Sequence, residues 1–344
     1  MFTASVITGR KDWLDVAKGI GIIAVVIGHS GSREADLLYW FHMPLFFIIS
    51  GFLFRPCGEW KNILSLVNKK ARQLLIPYIS FLGLIVIVEF YLNNRYLNFQ
   101  RIFEDFLYNL FPGGRFIGGF YTPFWFITCL FVTQIAFAMI LKAFKDTKAQ
   151  LLIIVLAYIL AHYESGILKT HNIMVPWDID VTLLTLVYYS IGYYGKKILD
   201  EITPFISYAS IALASSLIIC GWMGLINYII NVKYLTCDHM LLDLIIPTVI
   251  SVAIFSISQL CSNLSFSKFL GILGSYSLPI MYLHLPFNII AHQYINNGPF
   301  IFAMIGLLIP TTLSYCVLER FRITQLCLLG INIQPHRRLK TINT

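Results

Sequence analysis

Apolar runs of membrane-spanning length cover most of this 344-residue chain. A helix needs about 20 mostly apolar residues to cross a hydrocarbon core of about 30 Å. With 58% hydrophobic and 12% charged residues, the chain cannot present the surface of a soluble globular protein. The sequence predicts an all-α, polytopic transmembrane helical bundle, formed by a single domain over residues 1–344. About ten spans are expected, the fifth being the shortest, near residues 13–31, 37–54, 74–92, 121–142, 149–163, 175–195, 205–224, 240–260, 269–291 and 299–319.

The distribution of positive charge predicts how the bundle is oriented. Cytoplasmic segments of membrane proteins retain Lys and Arg. With the N-terminus inside, the inner segments carry three times as many of these residues as the outer segments. Both termini are therefore expected in the cytoplasm, the second as a basic tail over about residues 320–344. This topology explains the net charge of +8, and no soluble basic face remains for nucleic acid.

The first span carries three ionisable residues, Asp15, Lys18 and His29, in an otherwise apolar run. Charge inside a bilayer is costly and is usually retained for function. At about 100° per residue, all three side chains share one helix face, and Lys18 and His29 lie about 16 Å apart along the axis. This arrangement indicates a substrate path through the membrane. The alternatives are an ion pair between Asp15 and Lys18 and a hydrogen-bonded structural role for His29.

Most other ionisable residues within the predicted spans lie at the outer depth. They are His42, Glu89, Asp178, Asp180, Asp238, His239, Asp243, His284 and His292. Contact with water explains Asp178, Asp180, Asp238, His239 and His292 most simply, because they lie near the interface. The deeper residues must find a partner. A neutral imidazole can take a proton from a hydroxyl or attack a thioester, which makes the histidines candidate catalytic residues.

The densest positive charge lies in the second predicted inner loop, below the span that carries Lys18. It comprises Arg55, Lys61, Lys69, Lys70 and Arg72. The bias of Lys and Arg toward the cytoplasm is sufficient to explain these residues. The same residues would also suit a phosphorylated cytosolic donor such as a coenzyme A thioester.

Several familiar catalytic and metal-binding patterns are missing from the sequence. No Gly-x-Ser-x-Gly, Walker or His-Glu-x-x-His motif occurs in a supporting context. The seven cysteines show no Cys-x-x-Cys spacing, and Cys237 alone falls in a predicted outer loop. Neither a disulfide framework nor a metal site is predicted.

Five segments resemble the integral-membrane acyltransferase family 3, and within it the fucose 4-O-acetylase-like branch. The specific part is DWLDVAKGIGIIAVVIGHS over residues 12–30, followed by FHMPLFFIISGFLF over residues 41–54. Weaker matches follow in the expected order, KARQLLIPY at 70–78, FWFITCLF at 124–131 and SLPIMYLH at 277–284. The resemblance covers essentially the whole chain.

The resemblance implies an enzyme of the bacterial plasma (inner) membrane that transfers an acyl group, most often acetyl. The donor would be cytosolic acyl-CoA, and the acceptor a sugar hydroxyl of a cell-surface polysaccharide or its lipid-linked precursor. The family signature is a basic residue, ten residues and a histidine, which Lys18 and His29 match. Lys stands where Arg is usual and lacks the planar fork that holds phosphate with two hydrogen bonds.

Roles for individual residues follow from the same resemblance. His29 would carry the chemistry, as a general base or as an acyl-carrying nucleophile. The residues expected to orient His29 or the sugar are His42, Glu89, Asp243 and His284. The residues expected to hold acyl-CoA are Lys18, Lys69, Lys70 and Arg72. No permanently bound cofactor and no metal is expected.

A transporter or exporter of a glycan or a lipid-linked sugar is the alternative function. The same histidines and carboxylates would then relay protons. Transporters often have repeated halves and broken helices at matching positions, which are not evident in this sequence. A non-catalytic membrane scaffold is a third hypothesis.

Overall fold

The computed structural model describes residues 11–32, 35–56, 61–92, 99–171, 175–295 and 298–330. Nearly all of the regular structure is helical, which confirms the predicted all-α fold. The helices are α1 Asp12–Gly28, α2 Ala35–Tyr39, α3 His42–Phe52, α4 Lys61–Lys70, α5 Ile76–Leu92, α6 Phe99–Leu110, α7 Trp125–Ala143, α8 Thr147–His171, α9 Val181–Tyr194, α10 Lys196–Asp200, α11 Pro204–Trp222, α12 Met240–Cys261, α13 Ser265–Ser275, α14 Ser277–His292, α15 Pro299–Leu313 and α16 Arg322–Cys327. A short antiparallel hairpin, β1 Ile230–Asn231 and β2 Thr236–Cys237, joins α11 to α12.

Within the described part of the chain, 7 helical segments are long and apolar enough to cross a membrane. They are Ala35–Phe52, Ile63–Leu92, Gly119–Ala143, Thr147–Ile167, Pro204–Trp222, Met240–Cys261 and Pro299–Leu318. The shorter helices α1, α9 and α14 fall within three further predicted spans. A polytopic membrane bundle is therefore confirmed, whereas the number of ten spans stays a prediction.

The ninth predicted span, 269–291, consists of two helices rather than one. Helix α13 ends and α14 begins on either side of Tyr276. Pro279, the third residue of α14, has no N–H to donate to the Ser275 carbonyl, which favours an interruption here, whereas α12 continues through Pro247. The second predicted span is interrupted between α2 and α3 for the same reason, because Pro44 is the third residue of α3.

The fifth predicted span, 149–163, extends much further than its apolar run. Helix α8 is 25 residues long. Near the end of the predicted run the helix carries His162, whose Nε2 lies 3.0 Å from Oδ2 of Asp243 on α12. A polar residue with a buried partner can be accommodated at this depth.

Helix α1 lies at the centre of the bundle, in contact with α3, α12, α13, α14 and α15. Its approach to α13 depends on glycine. A Cβ atom added to Gly274 would lie 1.8 Å from the Asp15 carbonyl oxygen, and one added to Gly19 would lie 2.1 Å from that of Leu270. Small residues allow membrane helices to pack backbone against backbone. This contact fixes α1, and with it Lys18, against α13.

Gly274→Ala is expected to destabilise the bundle by about 2 kcal/mol, because the methyl group overlaps the α1 backbone. Gly271→Ala is the matched control, since it lies on the same helix and a Cβ there has no atom within 4 Å. The thermal unfolding of both variants in detergent measures the difference. Equal melting temperatures would contradict the close packing of α1 and α13.

Candidate active site

Three histidines from separate predicted spans lie together. His29 follows the last residue of α1, His42 opens α3, and His284 lies in the middle of α14. The ring centroids of His29 and His284 are 5.1 Å apart. Tyr39 bridges to the third ring, at 6.3 Å from His29 and 4.9 Å from His42. These three histidines are called the histidine cluster below.

The hydrogen bonds of the histidine cluster define where each ring carries its proton. In each ring Nδ1 faces a backbone carbonyl of the preceding helical turn. The acceptors are Val25 for His29, Leu38 for His42 and Met281 for His284, at 2.8, 2.6 and 2.8 Å. Because a carbonyl oxygen accepts only, Nδ1 is the protonated nitrogen. The neutral rings therefore keep a lone pair on Nε2, which is what a general base or a nucleophile requires.

Nε2 of His284 is buried and has no hydrogen-bond partner among the described residues. A buried polar atom without a partner is costly. It is therefore an available acceptor for a hydroxyl group held between His284 and His29.

A cavity of about 230 Å³ runs along α1 and is lined by both Lys18 and His29. The structure thus places these two side chains on one face of the helix, as the helical period predicts. The rest of the lining is largely apolar and includes Ile22, Val25, Phe46, Trp125 and Met281. Such a lining offers mainly apolar contacts along the path between the two polar residues. We call this space the apolar cavity.

A second cavity, of about 350 Å³, opens toward the predicted cytoplasmic side and is basic. Four cationic side chains line it, Lys11, Lys18, Arg55 and Lys196. Lys18 lines both cavities and so marks their junction. Its Nζ donates to Oδ1 of Asp15 at 3.2 Å, the ion pair considered above as an alternative. We call this space the basic cavity.

The basic cavity differs from the donor site predicted from the sequence. Lys69, Lys70 and Arg72 lie on α4 and the π-helical turn after it, and they line neither cavity. The residues that sequence reasoning missed are Lys11 and Lys196, while Arg55 was noted only as part of a basic loop. A usable signal existed, because all three border a predicted span at the same inner depth.

The two predicted carboxylates, Glu89 and Asp243, lie in other environments. Glu89 accepts a hydrogen bond from the Tyr121 hydroxyl at 2.5 Å, and both line a separate cavity of about 250 Å³. Oδ2 of Asp243 lies 3.0 Å from His162 Nε2 and accepts from the backbone N–H of His239. In the hydrogen bonds described here, the partners of both carboxylates lie outside the histidine cluster.

A buried ion cluster lies at the predicted outer depth, where the loop that carries Arg115 meets the start of the sixth predicted span. Arg115 is 7% exposed; its Nε donates to Asp178 at 3.1 Å and its Nη2 to Asp180 at 2.5 Å. The expectation that water solvates the two aspartates is wrong, because they are 0% and 6% exposed. They are buried because a guanidinium fork with several donors replaces the lost water.

Lys233 lies on the hairpin and is also buried. Its Nζ donates to the carbonyls of Ile117 and Thr122 at 3.1 and 3.5 Å. Burial lowers the pKa of Lys233 to about 8; the Asp178 carboxylate opposes this shift and the Arg115 guanidinium adds to it. Its charge also acts on His29, so the hairpin contributes to the electrostatics of the histidine cluster.

The pKa of Lys233 predicts a specific pH dependence of stability. The folded protein releases this proton near pH 8, whereas the unfolded chain holds it until about pH 10.5. Between these values the unfolded state binds more protons, so the free energy of unfolding rises with pH, by up to about 3 kcal/mol from this residue. Lys233→Met is expected to lose that rise, and the exposed control Lys268→Met to keep it. Melting temperatures from pH 7.5 to 10 test this, and parallel curves for wild type and Lys233→Met would contradict it.

Comparison with known proteins identifies the family to which this chain belongs. A family model described as an acyltransferase domain, that of acyltransferase family 3, matches residues 11–319. The chain belongs to acyltransferase family 3. This membrane acyltransferase is also similar to the nodulation protein NolL of Mesorhizobium japonicum, with 37% identity over 92 residues. That match covers 23% of the acyltransferase and 25% of NolL, so the two share a limited stretch. No solved structure matches the acyltransferase significantly.

Proposed function

We propose that this acyltransferase moves an acetyl group from cytosolic acetyl-CoA to a sugar hydroxyl of a cell-surface polysaccharide or its lipid-linked precursor, in the bacterial inner membrane. The observation that carries the proposal is the junction of the basic and apolar cavities at Lys18. Coenzyme A has phosphates at one end and a thioester on a long arm at the other. A basic chamber continuing into an apolar one that reaches His29 matches that order of groups.

The basic cavity supplies the contacts for the phosphates. Arg55 can hold a phosphate with two parallel hydrogen bonds, while Lys11 and Lys196 act as point charges. Lys18, at the junction, is about 16 Å below His29 along α1. The acyl arm would cross that distance inside the apolar cavity.

The histidine cluster supplies the chemistry in one of two ways. As a general base, His29 Nε2 removes the proton from the sugar hydroxyl. The oxygen attacks the thioester carbon, the C–S bond breaks, and the coenzyme A thiolate takes the proton from His29. As a nucleophile, Nε2 attacks the thioester carbon, the C–S bond breaks and the coenzyme A thiolate leaves. The sugar oxygen then attacks the acyl-imidazole carbon, the C–N bond breaks, and the hydroxyl proton passes to the thiolate. In both routes His284 Nε2 is available to accept a hydrogen bond from a neighbouring hydroxyl of the sugar, which would orient the reacting hydroxyl toward His29.

The part of the acceptor that does not react is expected at the separate cavity of about 250 Å³ that Glu89 and Tyr121 line, while the reacting hydroxyl lies at His29. The lining of that cavity combines Glu89, Asp105, Tyr108, Asn109 and Tyr121. Carboxylates, an amide and aromatic rings offer the hydrogen bonds and flat apolar faces that a sugar uses. The narrower resemblance to fucose 4-O-acetylases stays a prediction.

The donor site is tested by kinetics with two thioesters. Arg55→Gln and Lys196→Gln are expected to raise KM for acetyl-CoA about tenfold, since a charged hydrogen bond contributes about 1.5 kcal/mol. KM for acetyl-pantetheine, which lacks the nucleotide and its phosphates, should stay unchanged. Arg72→Gln is the matched control, because Arg72 is exposed and lines neither cavity. An equal effect of Arg72→Gln would overturn the proposed donor site.

The activity itself is tested with purified protein, labelled acetyl-CoA and a glycan acceptor. Transfer of label to the glycan, and a mass difference of one acetyl unit in surface glycans, are the expected results. If no label is transferred and cells with His29→Ala lose glycan export while keeping surface O-acetylation, the transporter alternative replaces the enzyme.

A further inference from the structure

Three side chains of metal-binding type meet where α8, β2 and α12 converge. They are His162, Cys237 and Asp243, and their ligand atoms all lie within 4.8 Å of one another. Cys237 and Asp243 are buried, and the His162 side chain is 9% exposed. The sequence predicts no metal site because these residues show no motif spacing. The fold assembles them from three separate elements.

The orientation of His162 leaves a gap that a cation would fill. Its Nδ1 faces the Tyr158 carbonyl at 2.9 Å and therefore carries the ring proton. The neutral ring then presents its Nε2 lone pair to Oδ2 of Asp243 at 3.0 Å. Two acceptors facing each other require a cation or an additional proton between them. A carbonyl that holds the opposite ring nitrogen is also the usual way of orienting a metal-binding histidine.

The Asp243 carboxylate has unused binding capacity. Asp243 is 0% exposed; the Tyr228 hydroxyl faces its carboxylate, but no hydrogen bond of normal geometry reaches Oδ1 from the described residues. A buried carboxylate oxygen in this state is costly unless something binds it. This oxygen belongs to the carboxylate that already approaches His162 and Cys237, so a ligand at the centre of the three residues would satisfy it.

We propose that His162, Cys237 and Asp243 bind one zinc ion. Nitrogen, thiolate and carboxylate oxygen are ligands that zinc accepts in tetrahedral sites, with a fourth position open to water. Binding releases the Cys237 thiol proton. The ion's two positive charges are then balanced by one thiolate and one carboxylate, with a neutral imidazole. A neutral site is the form that a buried environment tolerates best.

The zinc ion would fasten the outer hairpin to the bundle. Cys237 pairs with Ile230 in the hairpin ladder, and Lys233 lies between the two strands. The hairpin contains no helix, whereas His162 lies on α8 and Asp243 on α12, two of the longest helices. Zinc bound there would hold the hairpin, and with it Lys233, in place beside the histidine cluster.

The test uses the full-length protein in detergent, loaded with zinc sulfate and then dialysed. Elemental analysis is expected to find about one zinc per chain in the wild type and in the control Cys220→Ser, and almost none in Cys237→Ser. Cobalt in place of zinc should give a thiolate-to-cobalt charge-transfer band in the same two proteins. Zinc retained equally by Cys237→Ser would overturn the proposal.

A second measurement needs only the wild type, so it holds even if Cys237→Ser does not fold. At a denaturant concentration that lets the buried Cys237 react in the absence of metal, zinc is expected to slow its alkylation, as read by peptide mass spectrometry, while Cys220 reacts equally with and without zinc. Equal alkylation of Cys237 in both conditions would show that His162 and Asp243 form only a hydrogen-bonded pair. None of these readouts requires acyl transfer, so the result is independent of the proposed function.

Discussion

His29→Ala is expected to lower kcat for acyl transfer by at least about 1,000-fold, since a positioned proton-transfer group contributes factors of this size. His29, whose Nε2 keeps the basic lone pair, lines the apolar cavity together with Lys18. No other side chain in that lining can replace it, because the remaining residues are apolar, aromatic or hydroxyl-bearing. Transfer of labelled acetyl to a glycan acceptor by purified protein measures the effect.

Two controls separate chemistry from folding in this experiment. His292→Ala removes an exposed histidine and should leave kcat unchanged. The melting temperature of His29→Ala should stay near that of the wild type, because the side chain is only partly buried and bonds its own helix. A His29→Ala variant with wild-type kcat would exclude His29 from the reaction. Trapping acyl-His29 without acceptor would identify the nucleophilic route.

Arg115→Met is expected to reduce the free energy of unfolding by about 3–5 kcal/mol. The substitution leaves the carboxylates of Asp178 and Asp180 buried without the guanidinium that compensates both. The exposed control Arg101→Met should change stability by less than about 0.5 kcal/mol. Chemical unfolding of the purified variants in detergent gives both values.

Removing the aspartate charges provides an internal check on the origin of that loss. A triple variant with Arg115→Met, Asp178→Asn and Asp180→Asn should recover part of the stability, because no buried charge remains unpaired. If Arg115→Met is as stable as Arg101→Met, the two aspartates do not depend on the guanidinium.

Local patterns in the sequence predict the features that one segment determines alone. The apolar runs predict the membrane helices because a bilayer imposes their length. The helical period places Lys18 and His29 on one cavity because a single helix carries both. The break at Tyr276 was not predicted, since Pro279 follows it but Pro247 lies inside the continuous helix α12.

Features that several segments form together were not predictable from local patterns. The basic cavity takes Lys11, Arg55 and Lys196 from three segments, and no spacing rule connects them. Asp178 is buried because Arg115, 63 residues earlier, reaches it. The sequence of one segment shows which charged residues it contains. The partner of each charged residue depends on which segments come into contact in the fold.

The interruption at Tyr276 brings two helix ends, and with them main-chain polar groups, to the wall of the apolar cavity. Ser275 and Ser277, on either side of the break, belong to the cavity wall. Helix ends carry backbone N–H and C=O groups that have no partner within the helix. At membrane depth, such groups are tolerated only inside protein or along a cavity. A ligand with amide groups in its chain would therefore meet polar main-chain groups at this break, in a cavity that is otherwise mainly apolar.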